Sequence, residues 1–178
     1  MRMKRLSVTL TALCCLCFLI AGCASFTFNL KGTAIPDELH TLNVGFFENN
    51  ATLVVPTLSQ QFTEALKDRV RSTTRISLVS GEGSARMTGN ITDYRIAPIS
   101  VQATNNTTAP IAGASQLSIT VHVKFVCDSC KDKTINFDQS FTKTMNYTGD
   151  IANQEQTLIL AINKQLIDDI FNAAFNKW

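Results

Sequence analysis

Apolar positions recur with two different periods along the chain, and each change of period marks an expected element. Leu6–Ile20 is apolar throughout, broken only by Ser7, Thr9 and Thr11. Phe26, Phe28 and Leu30 alternate, which suits a tether or a first edge strand, and Thr41–Phe47 reads as a strand. Glu48-Asn49-Asn50 and Pro56 bracket a loop. Leu58, Phe62, Ala65, Leu66 and Val70 then fall at helical spacing, with Thr57 and Gln60 offering a capping box and Glu64, Lys67 and Asp68 on the outer face. Ile76–Val79 is a brief strand, stopped by Gly81-Glu82-Gly83 in what reads as a hairpin-like turn. Ala85, Met87, Gly89 and Ile91 alternate with Arg86, Thr88, Asn90 and Thr92, and Pro98 ends the regularity.

The stretch 100–116 has no period and no charge, as expected of a long functional loop. Leu117, Ile119, Val121, Val123 and Phe125 alternate with Ser118, Thr120, His122 and Lys124 in the clearest strand pattern. A partner strand over Thr134–Met145 puts Phe137 and Phe141 on one face and Asn136, Asp138, Ser140, Thr142 and Thr144 on the other. Asn153–Phe175 has a wide apolar stripe at helical spacing and would extend roughly 35 Å at 1.5 Å per residue. The order β-α-β-β-β-β-α predicts an α+β fold, with two helices packed on one face of a four- to five-stranded mixed sheet and a polar opposite face.

Composition changes the picture at the N-terminus. Arg2, Lys4 and Arg5 precede the apolar stretch, which is short and abruptly ended, as in a secretory signal. It closes with Ile20-Ala21-Gly22-Cys23, which resembles the lipobox of bacterial lipoproteins. That likeness implies cleavage after Gly22 and lipidation of Cys23, whose acyl chains together would hold a membrane firmly. The expected organisation is therefore a signal peptide over 1–22, a lipidated tether or edge segment over 23–40, and one domain over 41–178. The whole chain has 16 Lys and Arg against 14 Asp and Glu; without the leader, 13 face 14. A near-neutral mature chain excludes nucleic acid as a natural partner, since phosphate binding needs a concentrated basic surface. Beyond the leader no apolar run reaches the ~20 residues that cross a bilayer. The 21 Thr and 13 Asn supply polarity that is only weakly ionic.

Candidate chemistry is sparse. With Cys14, Cys15 and Cys17 in the leader and Cys23 acylated, Cys127 and Cys130 remain as thiols in a C-x-x-C. A disulfide clip, a redox dithiol and half of a zinc site are the three readings. Zinc lacks further ligands at a finger spacing, because His40 and His122 are the only histidines. A redox motif usually opens a helix, whereas this one joins two strand patterns beside Asp128 and Asp132. A turn-closing disulfide in an oxidising envelope compartment is the expected state. Lys67, Arg69, Arg71 and Arg75 cluster at a helix end, where the helix dipole favours them. No paired carboxylate motif, phosphate loop, zinc-protease motif or nucleophile elbow is present. Both histidines read as surface residues, and no enzyme, metal or cofactor is expected.

Three stretches together resemble the lipopolysaccharide-assembly lipoprotein family LptE, in the form found in Bacteroidetes-like bacteria. The first is Phe26-Thr27-Phe28 with Gly32-Thr33-Ala34-Ile35-Pro36. The second runs from Val44 through Phe46-Phe47-Glu48-Asn49-Asn50-Ala51 to Pro56-Thr57-Leu58-Ser59-Gln60 and Phe62–Asp68. The third joins Gly89, Ile91, Tyr94 and Pro98 to Gln165–Asn172 and Trp178. The resemblance implies an outer-membrane protein on the periplasmic side, plugging the lumen of an LptD-like β-barrel, helping it assemble and passing lipopolysaccharide to the surface. The chargeless loop suits a hydrated barrel lumen, so Ala103, Thr104, Asn105, Asn106, Thr107, Thr108, Ala109, Pro110 and Ile111 are expected to face the barrel. The alternative is a lipid-anchored adaptor or binding module for another outer-membrane partner, since fold does not fix function.

Overall fold

The computed structural model describes residues 35–53, 55–99 and 114–175. Cys23, the leader and the Ala103–Ile111 segment lie outside these residues. Six strands form one mixed sheet: β1 (Thr41–Val44), β2 (Glu48–Asn49), β3 (Ser77–Val79), β4 (Ala85–Pro98), β5 (Ala114–Cys127) and β6 (Phe137–Thr148). Among the described residues two helices, α1 (Leu58–Thr73) and α2 (Glu155–Phe175), cover one face. The α+β expectation holds, and the two-residue β2 brings the strand count to six.

The central ladder is antiparallel. β4 pairs with β5 from Ala85↔Cys127 to Pro98↔Ser115, and β5 pairs with β6 from Ala114↔Thr148 to Phe125↔Phe137. Ala114–Gln116, assigned to the loop by composition, are therefore strand, because both neighbours supply partners. Thr134 and Ile135 are not strand but part of a 3-10 turn, Lys133–Ile135, before β6. Asp132 caps that turn, accepting from the Thr134 hydroxyl and N–H, and those bonds hold its carboxyl below the ordinary range.

The edge of β4 is built differently from expectation. β1 and β2 both run parallel along it, at Leu42↔Ala85 and Glu48↔Asn90. Between them the chain leaves the ladder to turn Phe47 into the core, where it is fully buried and its ring centroid lies 5.2 Å from that of Phe62. The expected strand over Thr41–Phe47 is thus interrupted, and Glu48 and Asn49 belong to the sheet. β3 does not form a hairpin with β4, because β1 lies between them and is parallel to both. Such a crossover ordinarily takes a dozen or more residues; here residues 80–84 make it, crossing a strand only four residues long. Asn43 Nδ2 donates to the Gly81 carbonyl at 2.8 Å and the Ser84 N–H to Thr41 Oγ1 at 2.8 Å, pinning the arch to β1. A Cβ at Gly83 would stand 3.1 Å from Val79 Cγ2 and 3.2 Å from the Ala85 carbonyl, so the arch leaves little room there.

The core lies between the sheet and the helices. Leu117, Ile119, Val121, Val123 and Phe125 of β5 meet Leu58, Phe62, Leu66 and Val70 of α1 and Ile159, Ile162, Leu166 and Ile170 of α2. α1 begins without the expected capping box. Thr57 is itself helical, at φ −86° and ψ −13°, and its side chain caps nothing; the Leu58 N–H instead bonds the Val55 carbonyl at 3.1 Å. α2 starts at Glu155, two residues later than its pattern, because Ile151–Asn153 form a 3-10 turn capped by Asp150.

Candidate functional site

The face of the sheet turned away from the helices is the candidate site, because the strand registers bring its polar residues into rows. Gln116 Nε2 donates to Asn146 Oδ1 at 3.0 Å, and the Thr120 and Thr142 hydroxyls bond each other at 2.9 Å. His122 Nδ1 lies 3.2 Å from Ser140 Oγ, and its Nε2 lies 2.7 Å from Asp138 Oδ1. Cross-strand pairs of this kind fix side chains that would otherwise be free in water, each contributing modestly.

The face is less purely uncharged than its Thr, Asn and Ser content suggests. Lys124 meets Asp138 at 3.4 Å and Arg95 approaches Asp93 at 3.9 Å. Both pairs flank the uncharged middle formed by Thr120 and Thr142. The bulge between Ile91 and Asp93 explains how β4 joins this face. Before it the odd residues Met87 and Ile91 point to the core; after it Tyr94 and Ile96 do, opposite Ile119 and Leu117. The extra residue, Thr92, is exposed and reaches back to the Thr120 carbonyl at 3.3 Å.

Ser140, His122 and Asp138 line up as a hydrolase triad would, but the setting differs. The side chains of His122 and Asp138 are 39% and 51% exposed on an open face. That exposure leaves both side chains open to water, whereas oxyanion stabilisation depends on enclosure. The arrangement orders the surface. His40 is exposed beside the turn leading to β1. Among the described residues no three His, Cys, Asp or Glu side chains converge as metal ligands, and no helix is long and apolar enough to cross a membrane.

Cys127 and Cys130 are joined by a disulfide, and both are buried. The turn around them is held independently, because Lys133 Nζ donates to the carbonyls of Cys127 and Asp128 at 2.9 and 2.8 Å. Asn136 Oδ1 also accepts from the Cys127 N–H at 2.8 Å. Of the basic cluster, Arg75 lies beyond α1 and is exposed, while the three cations on the helix are paired. Lys67 pairs with Glu64 at 2.9 Å, Arg71 with Asp68 at 2.9 Å, and Arg69 with Asp168 of α2 at 3.2 Å. Lys131 likewise pairs with Glu38, whose carboxyl a backbone hydrogen bond, and then Lys131, hold below the ordinary range.

The residue types of the polar face are legible in the sequence, whereas its pairings depend on register. The switch of apolar positions from odd to even between Ile91 and Tyr94 was the available signal for the bulge. Asn163, a polar residue set within the apolar stripe of α2, is a second such signal.

A family model described as LptE, lipopolysaccharide-assembly, matches residues 39–174. This agrees with the resemblance read from the sequence. No curated protein matches the chain significantly. Among solved structures, a putative neuraminyllactose-binding hemagglutinin homolog from Helicobacter pylori is similar at TM-score 0.49 and 13% identity, covering 82% of this chain and 88% of that one. The rare lipoprotein B from Shewanella oneidensis aligns at TM-score 0.47 and 11% identity, covering 75% and 90%. A minor lipoprotein from Acinetobacter baumannii aligns at TM-score 0.46 and 15% identity, covering 76% and 94%.

Proposed function

We propose, from the premise that this chain belongs to the lipopolysaccharide-assembly family LptE, that it is the lipoprotein plug of an LptD-like outer-membrane barrel. Cys23 carries the lipid that anchors it to the outer membrane from the periplasmic side. The ordered, self-paired polar face of β4–β6 and the chargeless segment Ala103–Ile111 enter the barrel lumen. There the protein supports assembly of the barrel and transfer of lipopolysaccharide to the surface.

The observation that supports this reading best is the row of polar pairs on the open face. A barrel lumen is polar and hydrated. A wall that meets it must present hydrogen-bonding groups and avoid isolated charges, which are costly to bury. The middle of the face, at Thr120 and Thr142, is hydroxyl-lined, and the charges beside it are paired. Such a face suits a wet protein wall better than a bilayer or a nucleic acid.

The deciding experiment is purification from native membranes in mild detergent, combined with depletion in cells. A stoichiometric complex with an outer-membrane barrel, and loss of surface lipopolysaccharide on depletion, are expected. Purification as a lone species with surface lipopolysaccharide undisturbed would remove the proposal. Labelled palmitate should be retained by the mature protein and lost in Cys23→Ala.

A further inference from the structure

On the side away from the sheet, α1 and α2 leave an open groove of about 480 Å³ between them. Ala65, Leu160 and Ile167 give it apolar walls, and Gln61, Arg69 and Asn163 give it polar ones. This volume is in the range of small-ligand sites, which combine apolar walls with a few fixed polar groups.

Gln61 accepts from Gln156 Nε2 at 3.3 Å, but three buried polar atoms of Asn163 and Arg69 lack partners. Asn163 is only 3% exposed, yet neither Oδ1 nor Nδ2 has a hydrogen-bond partner among the described residues. Arg69 Nε is buried and unpartnered as well. The rest of that guanidinium is fixed, by Asp168 at 3.2 Å and by the Phe171 ring, whose centroid lies 4.9 Å from the guanidinium carbon. Buried polar atoms are almost always paired, and leaving them unpaired destabilises a protein. Leu160, by contrast, is 53% exposed at the rim of the same groove. A buried amide beside an exposed leucine reverses the usual arrangement on a helix.

The unpaired set consists of one acceptor, Asn163 Oδ1, and two donors, Asn163 Nδ2 and Arg69 Nε. An extended peptide presents the complement, an N–H flanked by carbonyls. A hydrocarbon chain would leave all three atoms unpaired. A phosphate or carboxylate would set negative charge against Asn163 Oδ1 and against Asp68 and Asp168 in the lining. The rim charges already pair among themselves, since Arg69 and Lys164 both meet Asp168, and Arg71 meets Asp68. A neutral ligand is therefore favoured.

We propose that this groove binds an extended, uncharged segment of a partner protein, with one aliphatic side chain against Leu160 and Ile167 and the neighbouring peptide groups on Asn163 and Arg69. The site lies on the opposite side of the protein from the open sheet face and does not depend on the barrel role proposed above.

The test has two arms, both on the mature protein. In the first, N-acetyl-L-leucine N-methylamide is titrated while the Asn163 side-chain amide and Leu160 methyl resonances are followed by NMR. Saturable shifts of both are expected. Asn163→Leu, or Leu160→Ser should the first variant not fold, should weaken binding about tenfold, the loss expected for one hydrogen bond or one apolar contact. Equal shifts with an amide-free alcohol of the same carbon skeleton, or none up to the solubility limit, would overturn the proposal. In the second arm a photocrosslinker replaces Leu160 in cells, and the captured peptide is mapped by mass spectrometry. An uncharged, aliphatic segment of another envelope protein, competed by the same amide, supports the proposal. Capture of lipopolysaccharide, of residues 24–34 of the same chain, or of nothing would overturn it while leaving the barrel reading untouched.

Discussion

Tyr94 donates a 2.7 Å hydrogen bond to Glu155 Oε1 and so ties the middle of β4 to the first turn of α2. The bulge at Thr92 makes this contact possible. Without the extra residue Tyr94 would point to the polar face, and α2 would lose this hydrogen bond to the sheet. Glu155 also places a carboxylate at a helix N-terminus, where the dipole favours it.

Tyr94→Phe should cost about 1 kcal/mol, the usual net worth of one hydrogen bond. In a domain of this size that lowers the melting temperature by about 2–4 °C. The variant should also respond differently to alkali. Burial, and then the bond to Glu155, push the Tyr94 phenol well above its ordinary range. The folded state keeps a proton that the unfolded chain releases above pH about 10, so this contribution is full below that pH and lost above it. Melting curves between neutral pH and pH about 11 should therefore fall more steeply for the wild type than for Tyr94→Phe. Parallel curves would show that Tyr94 does not hold its proton in this way.

Gly89 sits opposite Val123 in the central ladder with the Phe47 ring packed over it. A Cβ at Gly89 would collide with the His122 carbonyl and would stand 2.6 Å from Phe47 Cε1. Neither neighbour can yield cheaply, because the carbonyl belongs to the sheet and Phe47 is fully buried. The Phe47 N–H is also held by Thr63 Oγ1 at 3.0 Å. Gly89→Ala should destabilise by about 2–3 kcal/mol, an overpacking penalty. Gly81→Ala, with open space around its Cβ position, should change little. Chemical denaturation of the two variants separates these outcomes.

These examples show what the sequence could and could not reveal. Alternation in β5 and helical spacing in α1 and α2 are local properties, so those elements were readable directly. Phe47 and Gly89 were each visible as residues, but their contact spans a strand pairing that no local pattern encodes. The parallel insertion of β1 between β3 and β4 was hidden for the same reason. Gly81-Glu82-Gly83 looks like a hairpin turn, and only the hydrogen bonds from Asn43 and Ser84 reveal an arch over another strand. On the polar face, residue types were legible, whereas the Thr120–Thr142 and His122–Asp138 partnerships required the register.

The disulfide should contribute stability without deciding the fold. Cys127 and Cys130 close a loop of a few residues, for which the chain-entropy relation gives about 2 kcal/mol. Lys133 and Asn136 hold the same turn by separate hydrogen bonds. Cys127→Ala combined with Cys130→Ala should fold and complement a deletion, with a melting temperature lower by roughly 4–8 °C. Alkylation without reductant should leave the wild-type mass unchanged. Rapid labelling of both thiols in protein taken from the envelope would show that the bridge is not its resident state.

Thr142 offers the most direct test of the proposed barrel-facing surface. It is exposed at the centre of the open face, and its hydroxyl bonds the Thr120 hydroxyl across the strands. Thr142→Lys should therefore change stability by no more than about 0.5 kcal/mol. Against a close-fitting lumen, however, the new ammonium would be desolvated beside carboxylates that already have partners, Asp93 with Arg95 and Asp138 with Lys124 and His122, and that is costly. The variant should melt normally yet copurify poorly with the barrel and restore little surface lipopolysaccharide. Gln60→Lys, at an exposed position on α1, serves as the opposite case and should behave as wild type. If Gln60→Lys broke the complex and Thr142→Lys did not, the helices rather than the sheet would face the barrel wall. The ordered polar rows would then be a solvated surface and nothing more.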